Sequence, residues 1–577
     1  MPLLSTVDTR AADAPPPSAA RPRRGLLLIA LLVLGWALHV AWRIWLARVH
    51  AMPIAHSDED SYLNTARVFA GGPAGFTNEN ELLRRVGYPL LISPAYLVTQ
   101  DFLVTYRIVH VINACINAAA FPLAYLLCRR MLAMPRTASY ATAFVAASLP
   151  AIAWYAGIAM TDAVLAPLFL AWLLALHQWL AAPRKIGWAI GAGAAVGAIY
   201  SIHIRGIVIV VVSLLVVGVC ALRKRLPLRP VLAYGVALVL LASVNHLADA
   251  YIGDRMRLLG KSPGGQTVSA LLSAHGLAQF SYTVVSQLWY LVVVTLGLGG
   301  IAWWAALREL RRKEGDLALR WTYAAALLAT FGVAVGAAFI LAGVPLRSSG
   351  ALYARYIHMT VPFWFLVGVA AVLRLPTPRL VRFAAVTVAG LLATGGLVAL
   401  RIWWAERSGT RIGFGVFGAP ELMALTFDFE RPRPLVGTAI AIAGCVLLVA
   451  AIRWVRAGIP VLVALLALNV FCLHQLTERG IRPLAQKIVP TPTLASLGVE
   501  RGDRVVAVVG FDWRVRMDLV HQVTWADVPL VSKPPADADV VLAPWKRDSA
   551  KNWDGAAQGL RLAGGNREQE WAVWLRP

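Results

Sequence analysis

Runs of about 20 apolar residues recur along most of this chain, the length an α-helix needs to cross the hydrocarbon core of a bilayer. In lipid such a segment must satisfy its own backbone N–H and C=O groups, which a helix does and an isolated strand does not. The composition agrees: of 577 residues, 59% are hydrophobic and 15% charged, with a mean hydropathy of +0.65. These values describe a polytopic α-helical membrane protein. The net charge of +24 sits in short clusters between apolar runs, as in membrane-protein loops, so no nucleic-acid partner is expected. Cys115, Cys128, Cys220, Cys445 and Cys472 lie in or beside apolar segments. They lack the paired spacing of a disulfide framework or zinc site and read as packing residues.

Residues 1–24 are rich in Pro and Ala and end in Arg21, Arg23 and Arg24, a disordered tail with a positive flank. The run 25–47 is longer than a signal-peptide core and is followed by no convincing small-x-small cleavage site, so it reads as a retained helix. Further spans are expected near 103–127, 137–156, 163–182, 186–204, 206–222, 230–248, 286–307, 321–342, 358–374, 382–402, 435–452 and 457–475, about thirteen in all. With the N-terminus inside, the cytoplasmic segments hold 23 Lys and Arg against five acids, while the loops 48–101 and 403–434 are near balance. The positive-inside rule then gives one consistent orientation. The membrane domain covers 25–477, with a first outer loop at 48–102. Residues 478–577 form a small α/β extracytoplasmic domain, with strand-like runs at Arg504–Val509, Asp539–Ala543 and Glu570–Leu575.

Against this background the charges near span ends stand out. Asp58, Glu59 and Asp60 follow the first span inside the segment His56–Tyr62. Three adjacent acids repel one another, so a fold gathers them for a cation, a proton transfer or plain solvation. Asp162 lies at the outer mouth of the fourth span, where it also suits helix capping. Arg205, beside His203, occupies a very short outer turn; Arg347, Arg355 and Tyr356 precede a later span. These arginines also suit snorkelling to lipid headgroups. Arg84 and Arg85 precede Gly87-Tyr88-Pro89 and an apolar stretch of about twelve residues, too short to span and expected to lie in the interface. Acids and arginines thus converge on one membrane face, which suits a substrate with an anionic head and a lipid tail. The planar guanidinium fork matches phosphate, and a nearby carboxylate can take a proton from an attacking hydroxyl or amine.

The ordered set Asp58-Glu59-x-x-Tyr62, Ala66-Arg67, Gly87-Tyr88-Pro89-Leu90-Leu91, Met160-Thr161-Asp162 and Arg355-Tyr356 before a span resembles the bacterial GT-C glycosyltransferases. The likeness is to the branch with protein O-mannosyltransferase-like enzymes and the lipid A aminoarabinose transferase, and it covers roughly residues 25–375. The resemblance implies a GT-C-like fold in the bacterial inner membrane and an inverting transferase. The donor would be a polyprenyl-phosphate-linked sugar, the acceptor a lipid, glycan or protein, and membrane lipids would surround both. It implies Asp58 as general base, with Asp60 the alternative, and Asp162 as an acceptor-positioning or assisting acid. Arg84 or Arg85 would hold donor phosphate, and Arg205, Arg355, Tyr356, Tyr62 and Glu59 are further substrate-binding candidates. A divalent cation shared by Asp58, Glu59 and Asp60 would need ligands from elsewhere, since one short segment cannot complete a coordination sphere. The competing class is a transporter or flippase of a lipid-linked or anionic substrate. Such proteins usually place ionisable residues at the midplane and repeat a half, and neither pattern is visible here. A sugar-polymer ligase is a third class; it would be expected to centre on an Arg- and His-rich outer loop, and 403–434 has Arg407 and Arg411 without His.

Overall fold

A computed structural model describes residues 20–55, 58–75, 85–256, 273–312, 314–342, 352–409, 418–455, 458–510, 512–546 and 552–577. Among these, ten helices are long and apolar enough to cross a bilayer. The first half of the chain forms α1 (Ala20–Ala47), α2 (Asp58–Phe69), α3 (Gly87–Ile92), α4 (Pro94–Val98), α5 (Phe102–Ala118), α6 (Ala120–Arg130), α7 (Arg136–Ala147), α8 (Pro150–Ala153), α9 (Asp162–Ala181), α10 (Ile186–Ile202), α11 (Gly206–Leu222) and α12 (Leu228–Met256). Apolar composition alone does not rank these helices, but burial does. Asp162–Ala181 and Arg355–Arg374 are 83% and 89% buried over their most apolar windows, against 11% for Gly25–Ala47. The two central helices therefore pack against protein on nearly all sides, and the first span lies at the lipid-facing edge. Both central helices carry a charged candidate residue at their starting end.

Several spans differ in detail from expectation. The run 286–307 is not one helix: it is split into Ala274–Val294 and Leu298–Arg311 by Leu296 at φ 49° and Gly297 at φ 81°. A left-handed pair ends a helix, and glycine takes that conformation without strain. Hydropathy does not register such a break. Residues 137–156 give a 12-residue helix, α7, followed by α8 and a 3₁₀ turn at Trp154–Gly157. At 17 residues each, α10 and α11 are shorter than the ten. The stretch expected to lie in the interface is the pair α3 and α4, which leaves Leu97 and Val98 each 71% exposed.

One buried cation locks the edge span to the centre. Arg43 of α1 donates to Asn117 Oδ1 at 2.7 Å and to the Ala147 carbonyl at 2.7 Å. Asn117 in turn donates to the Ala163 carbonyl at 2.5 Å, so this chain of bonds ends one residue after Asp162. Removed from water, such groups persist only where they are paired.

The C-terminal segment folds on a five-stranded mixed sheet with strands β1 (Val505–Val508), β2 (Leu530–Val531), β3 (Val540–Pro544), β4 (Arg561–Asn566) and β5 (Trp571–Leu575). Their order is β2-β1-β3-β5-β4; β1 runs parallel to β2 and β3, and β5 antiparallel to β3 and β4. The helix Trp513–Gln522 connects β1 to β2 and buries Met517 and Val520 against Val505, Leu542 and Trp571. The three expected strand segments coincide with β1, β3 and β5. The segment from His521 to Val528 touches the membrane domain, and that contact bears on the site.

Candidate active site

Three segments far apart in sequence meet at the starting ends of the two central helices. Asp162 opens α9 after a tight 154–161 turn. Asn113 of α5 donates to the Ile158 carbonyl at 3.0 Å and accepts from the Tyr88 hydroxyl at 3.1 Å, which fixes that turn. Arg205 sits between α10 and α11, where the chain reverses within four residues. At Gly206 a Cβ would lie 2.4 Å from Tyr200 Cα, so only glycine lets the reversal close. Arg355 begins the 3₁₀ turn Arg355–Thr360 that leads into the helix Val361–Arg374.

These residues form one ion-pair network. Asp162 Oδ1 accepts from Arg205 Nη2 at 2.8 Å, and Asp162 Oδ2 accepts from Arg355 Nε and Nη2, each at 2.8 Å. Arg355 Nη1 reaches Asp58 Oδ2 at 2.8 Å and the Tyr353 hydroxyl at 3.2 Å. One guanidinium therefore joins Asp58 to Asp162, and the two acids that the sequence placed on one face are a single side chain apart. Arg205 also donates to the Tyr356 carbonyl at 3.1 Å and lies 4.9 Å from the centre of the Tyr356 ring. His203 Nδ1 accepts from the Arg205 backbone N–H at 3.0 Å.

The geometry separates alternatives left open by the sequence. Both oxygens of Asp162 are engaged by guanidinium groups, and the residue before it, Thr161, makes no side-chain cap. Arg205 and Arg355 turn inward, with side chains 5% and 4% exposed, and neither snorkels to lipid. Among the described residues two guanidinium groups face two carboxylates, and these charges are paired, as burial demands.

The three consecutive acids have three separate fates. Successive helical residues point about 100° apart, and α2 aims each carboxylate at a different neighbour. Asp58 faces Arg355 and keeps 25% side-chain exposure. Glu59 is fully buried: Oε2 accepts from the backbone N–H groups of Ile54 and Ala55, each at 2.8 Å. Its Oε1 accepts from the Tyr106 hydroxyl at 2.6 Å and the Ala159 N–H at 2.7 Å. Burial pushes the Glu59 carboxyl above its ordinary range, while these donors pull the other way. Asp60 is buried against His521 Nε2 of the C-terminal domain at 2.8 Å. A cation at this helix end would draw on Asp58 and on oxygens from other segments, because Glu59 and Asp60 are held by protein groups.

The remaining candidates spread around this centre. Arg85 is half-buried, with its guanidinium 4.4 Å from the centre of the Tyr200 ring near the end of α10 that feeds Arg205. Tyr62 is buried edge-on against Tyr88, with ring centroids 5.2 Å apart. Arg84, Arg347 and His56 lie outside the described residues.

Two groups beside the site were not singled out by the sequence. The first is the contact of the C-terminal domain with α2. Besides His521 on Asp60, Arg67 donates to the Val523 carbonyl at 3.2 Å, and the Gly75 carbonyl accepts from the Val528 N–H at 2.9 Å. Nothing local marks His521, which is 461 residues from Asp60. The second is Glu421, 2% exposed on the short helix Pro420–Thr426. It accepts from the Tyr290 hydroxyl, and His358 Nε2 lies 3.4 Å away. Burial pushes the Glu421 carboxyl up to about 7. An acid inside the otherwise mixed loop 403–434 gave no distinguishing signal.

Comparison with known proteins bears on the fold. No protein-family model matches the chain, and no curated protein matches it. Among solved structures, the crystal structure of ArnT from Cupriavidus metallidurans bound to undecaprenyl phosphate is similar over 96% of this chain and 98% of that one. The TM-score is 0.52 and the sequence identity 16%. The GT-C-like architecture expected from the ordered motifs is thus the one found: from the membrane helices through the C-terminal sheet, this chain has the fold of ArnT.

Proposed function

We propose that this protein is a membrane glycosyltransferase that moves a sugar from a polyprenyl-phosphate donor to an acceptor, with inversion and with Asp58 as general base. The observation that carries the reading is the Arg355 bridge: one guanidinium holds a buried acid, Asp162, and a partly exposed acid, Asp58, at the same end of the central helices. The ArnT fold supports the donor class, since that protein was solved with undecaprenyl phosphate. Inner-membrane residence, with Asp58 on the extracytoplasmic side, follows from the loop charges and belongs to the same proposal.

In this scheme the lipid tail lies among the spans and the phosphate reaches the loop level. Asp58 takes the proton of the acceptor hydroxyl or amine as that atom bonds to the anomeric carbon, and the bond from that carbon to the phosphate oxygen breaks. The electron pair leaves on the phosphate, where arginine donors stabilise it. Arg84 or Arg85 is the cation assigned to that phosphate. Asp162 fixes the fork of Arg355 and, through it, the direction of Asp58. The acceptor, whether lipid, glycan or protein, and the identity of the sugar lie in loop shape.

The test is transfer in proteoliposomes charged with polyprenyl-phosphate-linked sugars, scored by release of free polyprenyl phosphate and by the anomeric configuration of the product. Asp58→Asn should abolish transfer while the purified protein stays folded, as read by its tryptophan emission. Retained turnover in that variant, or a product with retained configuration, refutes the assignment.

A further inference from the structure

At the membrane face opposite Asp58, the turns joining α9 to α10 and α11 to α12 line an open cavity of about 770 Å³. The separation is set by α9, whose 20 residues carry the chain about 30 Å from Asp162. Four cations line the cavity, Arg184, Lys185, Lys224 and Arg225, and no acid does. The sequence between Pro183 and Pro230 contains no Asp or Glu at all. None of the four is in an ion pair among the described residues. This contrasts with the site above, where each guanidinium of the network has its carboxylate.

We propose that this groove binds the headgroup of an anionic phospholipid from the leaflet on that side. Charge is the first argument: four unneutralised cations around one concavity create a field that a phosphate satisfies. The second is the backbone at Lys224, which has φ 56°. Its N–H bonds to the Ala221 carbonyl and that of Arg225 to the Cys220 carbonyl, closing the end of α11 at a position that glycine normally fills. A lysine held in the left-handed region is strained, and a loop that only supplied positive charge to orient the chain would not need it there. The third argument is the helix start at the rim. α10 begins at Ile186 after Lys185, which provides no side-chain cap, so its first N–H groups favour an anion; α12 begins beside it at Leu228. The fourth is the surrounding surface: Leu222 is 85% exposed and Leu228 70%. An anion between exposed leucines at bilayer level carries its own apolar tail, which selects a lipid over a free ion.

The experiment is native mass spectrometry of the full-length protein, delipidated in detergent and titrated with phosphatidylglycerol or phosphatidylcholine, with inorganic phosphate as competitor. The expected result is retention of phosphatidylglycerol over phosphatidylcholine, with phosphate a weak competitor. The triple variant Lys185→Gln, Lys224→Gln, Arg225→Gln should lose affinity roughly 100-fold, about fivefold for each cation removed near a membrane surface. Lys224→Gly guards against misfolding, because it relaxes the turn while removing one charge; it should weaken lipid binding and leave the unfolding midpoint unchanged or higher. Equal retention of both lipids, or unchanged affinity in the triple variant, overturns the proposal. Competition by phosphate at equal concentration overturns it too, since the groove is then a free-anion site.

Discussion

Asp162→Asn isolates the network at the centre of the fold. Asp162 takes three N–H contacts at 2.8 Å from two guanidinium groups, and its side chain is only 3% exposed. Asparagine keeps the volume and one acceptor oxygen but removes the charge. Arg355 retains Asp58; Arg205 is left with the neutral acceptors His203 Nδ1 and the Tyr356 carbonyl. Removing one partner of a buried ion pair costs about 3–5 kcal/mol, and the amide oxygen restores about 1 kcal/mol of hydrogen bonding. The expected loss is therefore about 2–4 kcal/mol. Arg205→Gln should cost a similar amount, since it strands Asp162 with Arg355 alone. The double variant has no stranded charge, so its loss should fall short of the sum of the singles by about 2 kcal/mol. Unfolding of the purified protein by dodecyl sulfate titration, followed by tryptophan fluorescence, measures all four corners of the cycle. Additivity to within about 0.5 kcal/mol would refute the buried pair. Transfer should fall in Asp162→Asn as well, because the fork that directs Asp58 loses half its anchorage.

Glu421 gives a pH signature. The unfolded chain releases this proton near 4.5 and the folded protein holds it until about 7, so the unfolded state binds fewer protons in that window and stability falls as pH rises. Between pH 5 and 8 the wild type should lose about 3 kcal/mol that Glu421→Gln does not; parallel pH profiles for the two proteins would remove the buried carboxyl from the account. His521→Ala should lower kcat at unchanged donor KM by letting α2 shift under Asp58. His521→Asn, which can still donate to Asp60, should recover part of the rate, and failure of that rescue would reduce His521 to a packing role.

Much of this arrangement was legible from the sequence, for a physical reason. A membrane sorts loops onto two faces, so the order of apolar runs and the bias of Lys and Arg already put Asp58, Asp162, Arg205 and Arg355 at one level. The structure brings those four within hydrogen-bond reach of one another, across 297 residues between Asp58 and Arg355. Hydropathy averages over a window and carries no backbone angle, and for that reason it merged two helices into the single run 286–307. The same blindness hid the left-handed pair at Leu296 and Gly297 that separates them.

The acid triplet shows where one-dimensional reading stops. In sequence Asp58, Glu59 and Asp60 are one signal, and a shared role is the economical interpretation. On a helix they diverge by 100° per residue, and which direction leads to which partner depends on segments that no local pattern connects. Glu59 meets the N–H of Ala159 because Asn113 pins the 154–161 turn; Asp60 meets His521 because the C-terminal domain is docked there. Each is buried, and a buried carboxylate held by protein donors is costly to unpair. These two acids therefore fasten α2 at its starting end, one toward the membrane helices and one toward the C-terminal domain. That fastening leaves the third carboxylate aimed with little freedom at Nη1 of Arg355. Rigid support of this kind is what a proton-abstracting group needs, since small displacements at a reacting centre cost large factors in rate.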